Sequence, residues 1–323
     1  MKIDKRTRDA FGDQLAINRR VREQVALRQN LFDENWHFIS RLKGEESFAL
    51  KVEAGICDEN LVIDDFFACT VVVRNSTEIA AATKIIEDNF DVVKRRPNSP
   101  VKTKSRPTEF QFDDLRMYVR LKPGYAGASE IHSVVFEVQV KTFLQHAWAI
   151  ATHDLTYKTD EVNWARFRVA SQIRAMLEHA ELSIERFDSL ASSNIIAKEY
   201  QEYVDADRII SALRERFDPA ALPKDLQRLA LAINVALMAL GVTAEECMEC
   251  LDKDTAAGRG VKELNLSPYS IVLQSVLAHR EFDTGKLTAK ADRKQKYRPI
   301  MLSKAVTVPD AVAPLFEKVI RLY

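Results

Sequence analysis

The stretch FEVQVKTFLQHAWAIATHDLTYK, residues 136–158, places three polar side chains in a row. Glu137, Gln139 and Lys141 alternate with apolar residues, and this period of two predicts a strand with one polar face. A carboxylate, an amide and an amine along one face fit two interpretations. The face is either exposed to solvent or forms the floor of a site that binds metal and phosphate.

The preceding segment, EFQFDDLRMYVRLK at residues 109–122, predicts a second strand with a polar face. That face carries four side chains: Asp114, Arg116, Tyr118 and Arg120. Residues 122–129, KPGYAGAS, are typical of a turn, so we expect the two strands to pair as a hairpin. Antiparallel sheets often expose one face to water, which makes solvent exposure the simple alternative to a site.

Cations cluster in SRLKGEESFALK, residues 40–51, where a predicted short strand leads into a helix. The polar residues of interest are Arg41, Lys43, Ser47 and Lys51. A helix N-terminus beside cations is suited to phosphate binding. This segment therefore favours a site over plain exposure.

Acidic and basic residues elsewhere fit the same chemistry. Asp64 and Asp65 stand just before residues 68–75, whose β-branched side chains predict a buried strand. Carboxylates at a sheet edge, joined by Glu137, suit a Mg²⁺ ion bridged by phosphate oxygens. Residues 94–106 hold six Lys and Arg side chains and no acid, which is a one-signed run inside a neutral chain.

The composition of the whole chain narrows the class of protein. Charged residues make up 29% of 323 and balance to zero, so net charge indicates neither nucleic acid nor membrane. No run of 18 apolar residues exists, and the first residues lack the apolar core of a signal peptide. We expect a soluble, cytoplasmic protein. Cys247 and Cys250 form a CxxC in a predicted helix, where buried thiols are favoured over a metal or redox site.

The periodicities predict an α+β protein in which a mixed β-sheet domain precedes a helical region. The first region runs in the order α-β-α-β-α-β-β-β-α. Before the hairpin, the predicted helices cover residues 8–34, 46–55 and 76–90, and the predicted strands cover residues 36–43, 68–75 and 90–96. The third helix is expected to begin with a Ser76 or Thr77 cap.

The C-terminal region is expected to be mostly helical. Residues 191–196, ASSNII, are the candidate boundary, which gives predicted domains 1–190 and 195–323. The tail, residues 298–323, is expected to hold a short strand and a closing helix. We leave the role of this region open: its helices fit a protein partner or a homo-oligomer.

Four segments in order resemble the synthetase domain of the RelA/SpoT family, the pyrophosphokinases that make (p)ppGpp. SRLKGEESFALK is similar to the family's SRIK-x-x-x-S, IDDFFACTVVV to D-x-x-G-x-R, and FEVQVKT to E-x-Q-x-R-T. HAWAIATHDLTYK is close to W-x-x-x-x-H-x-x-x-YK. The resemblance covers roughly residues 30–160.

The resemblance implies a nucleotidyltransferase-like fold, ATP and Mg²⁺, and transfer of the β,γ-diphosphate of ATP to a ribose 3′-hydroxyl. By carry-over, Asp65 holds Mg²⁺, and Glu137 binds the metal or takes the proton of the attacking hydroxyl. The implied ATP and phosphate ligands are Arg41, Lys43, Ser47, Lys51, Gln139 and Lys141.

Two departures from the family pattern concern the recognition of the nucleotides. The arginine five residues after the aspartate, which helps to clamp adenine, is Thr70 here. The acceptor motif GYxSxH is replaced by QFDDLR, so Phe112, Asp114 and Arg116 become the candidate acceptor-binding residues.

These departures leave three alternative functions open. The first is a pyrophosphokinase with another acceptor, such as an adenine nucleotide or the 3′ end of tRNA, acting as a growth-arresting toxin or phage-defence effector. The second is a (p)ppGpp synthetase that uses GDP or GTP. The third is a degenerate module that senses a nucleotide or a protein partner.

The histidines after the strand are expected to support the site and not to react. His146 and His153 lie seven residues apart on one predicted helix, about 10 Å along its axis, so one zinc ion cannot bind both. We expect this helix to pack under the sheet, with Trp148 in the core and His153 or Tyr157 tying it down.

Overall fold

The computed structural model describes residues 1–98, 115–124, 129–156, 163–259, 265–293, 299–307, 309–316 and 318–323. The chain folds into two compact units, Met1–Ile196 and Ala197–Tyr323.

The first unit combines seven helices with five strands in the described residues. The helices are α1 (Lys5–Ala26), α2 (Glu45–Glu53), α3 (Ile79–Asn89), α4 (Ser129–His132), α5 (Phe143–Thr156), α6 (Trp164–Glu185) and α7 (Phe187–Ala191). The strands are β1 (His37–Leu42), β2 (Phe67–Val73), β3 (Phe90–Arg96), β4 (Leu115–Leu121) and β5 (Phe136–Thr142). The predicted α+β class and the predicted order of elements up to α5 are confirmed, with the short α4 added before β5.

The five strands form one mixed sheet in the order β1-β2-β5-β4-β3. β2 and β5 are parallel, and the other neighbouring pairs are antiparallel. β4 and β5 pair as the hairpin pattern predicts, with Tyr118 opposite Glu137 and Arg116 opposite Gln139. The polar faces of both strands therefore lie on the same side of the sheet.

The opposite side of the sheet is apolar and is covered by α1 and α3. Val71 and Val138 on the central strands are buried, as are Ile86 of α3 and Val21 of α1. The alternation of apolar and polar residues in β4 and β5 thus assigns one face to the core and leaves the other for polar side chains.

A small aromatic cluster fixes the segment that enters β2. Phe48 of α2 and Phe66 are fully buried and lie 5.7 Å apart between ring centroids. Phe11 of α1 packs against both rings. Because Phe66 is held in this cluster, the neighbouring Asp64 and Asp65 are placed at the start of β2, next to α2.

The second unit is mainly helical and has its own core. Its α-helices and strands in the described residues are α8 (Gln201–Arg216), α9 (Leu226–Leu240), α10 (Ala244–Ala256), α11 (Pro268–His279), α12 (Thr284–Arg293), β6 (Ile300–Leu302) and β7 (Ile320–Leu322). Gly241 ends α9 with a φ of 72°, the left-handed conformation in which glycine is favoured. Thr243 and Glu246 form a capping box at the start of α10.

Three local predictions are wrong. α1 ends at Ala26, well short of residue 34, and a short 3-10 turn, Gln29–Leu31, follows it. The side chain of Asn75, one residue before the predicted caps, accepts the N–H of Thr77. The closing helix is absent from the described tail, which forms a 3-10 turn (Asp310–Leu315) containing Pro314, and then β7. Proline lacks the N–H that a helix interior needs.

In the described part of the chain, no single helix is both long and apolar enough to cross a membrane. The bent pair α9 and α10 meets that test of length and composition only when taken together.

Candidate phosphate and metal site

The polar face of the sheet is arranged in rows across neighbouring strands. One row runs from Arg41 through Ala68 and Glu137 to Tyr118, in the order β1, β2, β5, β4. The next row, two residues along, runs from Ile39 through Thr70 and Gln139 to Arg116. These rows bring together side chains that lie up to about 100 residues apart in the sequence.

Asp65 is held by two lysines at the edge of this face. Nζ of Lys43 and Nζ of Lys51 each lie 2.6 Å from the same oxygen, Oδ2 of Asp65. The side chains of Lys43 and Asp65 are mostly buried, 9% and 14% exposed. Burial alone would raise the pKa of Asp65, but the hydrogen bonds and charges of the two lysines outweigh it and lower the pKa. Asp65 is therefore an ionised carboxylate in a cationic surrounding.

Glu137 is a buried carboxylate with polar neighbours on the same face. It is 3% exposed, and the hydroxyl of Tyr118 donates to its Oε2 at 2.9 Å. The amide of Gln139 donates to its Oε1, and Arg116 approaches Oε2 to 4.0 Å. Burial and the Glu137 charge raise the pKa of Tyr118 to about 12, so Tyr118 remains a donor at neutral pH. This burial contradicts the interpretation of the face as plain solvent exposure.

Basic side chains of β3 border the same region. Lys94 pairs with Asp64 and lies 4.4 Å from the centroid of the Tyr118 ring. The guanidinium of Arg96 lies 5.7 Å from that centroid. The two β3 cations thus stand beside Tyr118, which is hydrogen-bonded to Glu137.

A cavity of about 570 Å³ joins these groups. Its polar lining consists of Lys51, Asp58, Asp64, Asp65, Lys94, Arg96, Arg116, Tyr118 and Glu137. The loop between α2 and β2 adds an apolar wall that includes Ile56 and Val62, which are 58% and 46% exposed. Its volume lies within the range typical of small-molecule and cofactor sites.

The residues present fit a Mg²⁺ ion that also binds substrate phosphate. Asp65 and Glu137 line the same cavity, and the described residues give no hydrogen bond to Oδ1 of Asp65. Within the described ranges, no group of three His, Cys, Asp or Glu side chains is suited to a metal ion. Mg²⁺ commonly takes one or two carboxylates and completes its coordination with water and phosphate oxygens, so two carboxylates suffice.

The remaining predicted phosphate ligands differ in their exposure to solvent. Arg41 and Ser47 are exposed, and Lys141 is buried on β5. The first turn of α2 carries Glu45 and Glu46, so this helix N-terminus already has acidic neighbours. Lys43, just before α2, and Lys51 in α2 both contact Asp65. These contacts place their ammonium groups at the edge of the site.

The rest of the candidate acceptor motif lies outside the described residues. Phe112 and Asp114 fall there, as do residues 99–106 of the basic segment and residues 125–128 of the predicted turn. Arg116 is described and lines the cavity. Thr70, in place of the family's arginine, lies between Ile39 and Gln139 in the sheet.

The helix after β5 differs in part from its prediction. Trp148 is half-buried and packs against α6: its indole N–H donates to the carbonyl of Ala170, and Arg174 lies 3.7 Å from its ring centroid. The prediction that Trp148 lies in the core under the sheet is therefore wrong. Burial, together with Lys141 and His37, lowers the pKa of His146. Tyr157 and the side chain of His153 lie outside the described residues.

The cysteines of the CxxC are buried free thiols in α10. Burial raises the pKa of Cys247 to about 12, which disfavours the thiolate that redox chemistry and metal binding need.

Three residues at the site are not predicted as functional from the sequence. Tyr118 is predicted to lie on the polar face but is given no role. Lys94 and Arg96 are predicted to belong to a basic run, and the face of the strand that they occupy is not predicted. The strict alternation of β4 predicts that Tyr118 shares a face with Glu137, but only the register shows that the two are directly opposite. Lys94 and Arg96 lie on β3, and the sheet order brings β3 next to β4.

Comparison with known proteins confirms the resemblance of the first unit. Residues 40–162 match the family model described as "Region found in RelA / SpoT proteins", so this segment is similar to the RelA/SpoT-type domain. No curated protein matches the chain.

Solved structures with some likeness to the chain include small alarmone synthetase 1 from Bacillus subtilis with its product pppGpp. It shares 15% identity, with a TM-score of 0.45, over 56% of this chain and 96% of that one. A GTP pyrophosphokinase family protein from Streptococcus pneumoniae shares 16% identity, with a TM-score of 0.40, over 57% of this chain and 90% of that one. Likeness at this level carries no argument about substrate.

Proposed function

We propose that the first unit is an ATP-dependent pyrophosphokinase that transfers diphosphate to the 3′-hydroxyl of a nucleotide or a tRNA. The observation that carries the proposal is the cavity in which Asp65 and Glu137 face Lys51, Arg96 and Arg116. Two carboxylates among several cations suit a polyphosphate with a divalent ion better than an uncharged ligand. The match of residues 40–162 to the RelA/SpoT model supports the same reaction.

The reaction is a displacement at phosphorus. The 3′-oxygen of the acceptor attacks the β-phosphorus of ATP, and the bond from that phosphorus to the oxygen bridging the α- and β-phosphates breaks. AMP leaves with the electron pair, and the proton of the hydroxyl passes to a base. Such transfers depend on positioning and charge neutralisation more than on covalent help.

Glu137 is the proposed base or metal ligand. Its carboxylate is buried and is oriented by Tyr118 and Gln139, so it is held in place before the substrate arrives. Asp65 is the proposed metal ligand. A bound Mg²⁺ would neutralise charge on the β- and γ-phosphates.

Lys43 and Lys51 are the proposed partners of the ATP phosphates. Both ammonium groups donate to Oδ2 of Asp65, and Lys51 also lines the cavity. Phosphate oxygens compete for these donors and would leave Asp65 available to a metal. Arg41, Ser47, Gln139 and Lys141 remain proposed ATP or phosphate ligands on the same sheet face or on α2.

The acceptor is proposed to lie on the β3–β4 side of Glu137. Lys94, Arg96 and Arg116 line that side and supply positive charge for acceptor phosphates, whether of a nucleotide or of RNA. Phe112 and Asp114 remain proposed acceptor-binding residues. Modification of a nucleotide pool or of tRNA would arrest growth, which is consistent with a toxin or phage-defence role in the cytoplasm.

A second candidate is a module that binds a nucleotide without turnover. The observation in its favour is Thr70, which stands where the family has an adenine-clamping arginine. A (p)ppGpp synthetase that uses GDP or GTP differs from our proposal only in the acceptor.

One assay separates these functions. The purified protein is incubated with Mg²⁺, ATP labelled at the γ-position and, in turn, GDP, GTP, adenine nucleotides and tRNA. We expect label on one acceptor class, and its loss in Asp65→Asn and in Glu137→Gln. Asp91→Asn is a matched control, because Asp91 is an exposed carboxylate on β3 that does not line the cavity. Label on guanine nucleotides alone would favour the alarmone synthetase. ATP binding without label on any acceptor would favour the module.

A further inference from the structure

The charge of the second unit is divided unevenly along the chain. Residues 197–283 carry ten Lys and Arg side chains and fifteen Asp and Glu side chains, a net charge of −5. Residues 284–323 carry nine Lys and Arg side chains and three Asp and Glu side chains, a net charge of +6. Because the whole chain is neutral, this C-terminal segment is a distinctly basic part of it. Such a charge asymmetry indicates an anionic partner.

The described part of this segment presents three cations as a row on α12. Lys286, Lys290 and Arg293 are exposed, and at about 100° per residue they fall within an arc of about 60° on the helix. Leu287 and Ala291 lie roughly 110° further around the helix and pack into the core of the second unit. We call the three cations the α12 basic row. The row therefore points away from the core and into solvent.

The acids that flank the α12 basic row do not neutralise it. Oδ1 of Asp283 accepts the backbone N–H of Lys286, and Asp292 pairs with Lys318. Among the residues that the structure describes, none of the three cations of the row forms an ion pair. Lys286 lies in the first turn of α12, where positive charge opposes the helix dipole, so helix stability does not explain its presence.

An RNA backbone fits the α12 basic row better than a membrane surface does. The three cations follow one another at about 6 Å and 4.5 Å along the helix axis, so that the row can meet several phosphates of one strand. A helix that lies on a bilayer inserts large apolar side chains beside its cations, whereas the only residue exposed next to this row on α12 is Ala289. The apolar residues of α12 are already used in the core of the second unit.

We propose that the α12 basic row binds the phosphate backbone of RNA. The choice of RNA over DNA rests on the proposed function, in which tRNA is one of the acceptors. Contacts to phosphate hold a strand in position without reading its sequence. The row thus supplies affinity for the RNA, and selection of the reacting hydroxyl stays with the site of the first unit.

The first test measures binding of a tRNA transcript to the full chain by fluorescence anisotropy over a series of salt concentrations. The test variant combines Lys286→Gln, Lys290→Gln and Arg293→Gln. The matched control combines Lys224→Gln, Arg228→Gln and Lys253→Gln, which removes the same three charges from exposed positions of the same unit. We expect the test variant to bind about tenfold more weakly, with a salt dependence of log Kd shallower by about 2, and the control to bind like the native chain. Glutamine keeps the helix propensity of Lys and Arg, so α12 should persist.

The outcomes separate this proposal from its alternatives. Absence of tRNA binding by the native chain, or equal weakening in both variants, overturns it. Preference for phosphatidylserine vesicles or for duplex DNA over tRNA also overturns it. Binding is measured without ATP and so does not depend on transfer. Binding through the row with no label on any acceptor contradicts the proposed function alone, and label on a nucleotide without tRNA binding contradicts this proposal alone.

A second measurement uses the native chain and needs no variant to fold. Lysines are acetylated with and without bound tRNA, and their modification is followed by mass spectrometry. We expect bound tRNA to slow the acetylation of Lys286 and Lys290 and to leave that of Lys224 and Lys253 unchanged. Unchanged acetylation of all four lysines, at a tRNA concentration that saturates binding, contradicts the contact.

Discussion

Two aspartates in this molecule contact cations in different ways. Asp65 receives both Lys43 and Lys51 on one oxygen, Oδ2, and lines a cavity. Asp254 in α10 is fully buried and uses both oxygens: Oδ1 accepts from Arg259 and contacts His279, and Oδ2 accepts from Ser275.

The difference separates a carboxylate suited to bind a ligand from one that holds helices together. Asp254 joins α10 to the residues after it and to α11, and its hydrogen-bonding capacity is largely used. Asp65 concentrates two positive charges beside a cavity and presents its other oxygen without a partner among the described residues. Burial and charge alone therefore do not identify a ligand-binding carboxylate. A carboxylate oxygen without a hydrogen-bond partner among the described residues, next to a cavity, does identify one.

The largest effect should come from removing a carboxylate of the site. Asp65→Asn and Glu137→Gln should each lower the rate of diphosphate transfer by roughly 10³-fold, about 4 kcal/mol in the transition state. Initial rates of acceptor labelling measure this. Asp65→Asn also leaves the mostly buried ammonium of Lys43 without its counter-charge, so the free energy of unfolding should fall by about 1–2 kcal/mol. A rate within threefold of the native rate would remove Asp65 from the mechanism.

An Asp→Asn substitution in the second unit should lower stability and leave the rate of diphosphate transfer unchanged. Asp254→Asn leaves Arg259 and His279 without a buried carboxylate, so the free energy of unfolding should fall by roughly 3 kcal/mol. Urea denaturation monitored by circular dichroism measures the loss. Asp252→Asn is the matched control, because Asp252 is 60% exposed in its pair with Arg216 and should cost less than about 1 kcal/mol. Equal losses in the two variants would show that the buried network contributes nothing specific.

A smaller effect should follow from loosening Glu137 in its place. Tyr118→Phe removes the hydrogen bond to Oε2 of Glu137 but keeps the ring beside Lys94 and Arg96. We expect kcat to fall by roughly tenfold and the KM for ATP to change little, because the loss concerns the reacting hydroxyl more than the binding of ATP. Steady-state kinetics with both substrates varied decide this. A change confined to the KM for ATP would instead place Tyr118 among the ATP ligands.

The smallest effect concerns acid stability. Burial would raise the pKa of Asp254, but hydrogen bonds from Arg259, His279 and Ser275 outweigh it and lower the pKa. A carboxyl whose pKa is lower in the folded state stabilises the fold above its unfolded pKa of about 3.9, and this contribution disappears as pH falls through the folded value. The unfolding free energy of the native chain should therefore drop more steeply below about pH 4 than that of Asp254→Asn. Parallel pH profiles from denaturant titrations would contradict the shift.

The sheet is largely predictable from the sequence because its strands follow simple periods. Strict alternation in β4 and β5 predicts both the hairpin and the shared polar face, and the β-branched run of β2 predicts a buried strand. The residues that line the cavity are less accessible to such reasoning. Motifs identify Asp65 and Glu137, whereas the contact of Lys94 with Asp64 depends on how β3 is placed across the sheet.

Other features depend on interactions that local sequence does not encode. Composition predicts a closing helix, but a proline and pairing with β6 favour a 3-10 turn and a short strand. The Asp254 network gives no sequence signal, because its partners are separated by 5, 21 and 25 residues and meet only when α10 packs on α11. Tertiary packing therefore decides what periodicity leaves open.

The most direct test of the contrast between the two aspartates measures transfer and stability on the same protein samples. Label transfer from γ-labelled ATP to the preferred acceptor is compared for the native chain, Asp65→Asn and Asp254→Asn, at a temperature where all three are folded. We expect near-complete loss of transfer in Asp65→Asn and, per folded molecule, native transfer in Asp254→Asn despite its lower stability. Native transfer in Asp65→Asn, or loss in both variants alike, would contradict it.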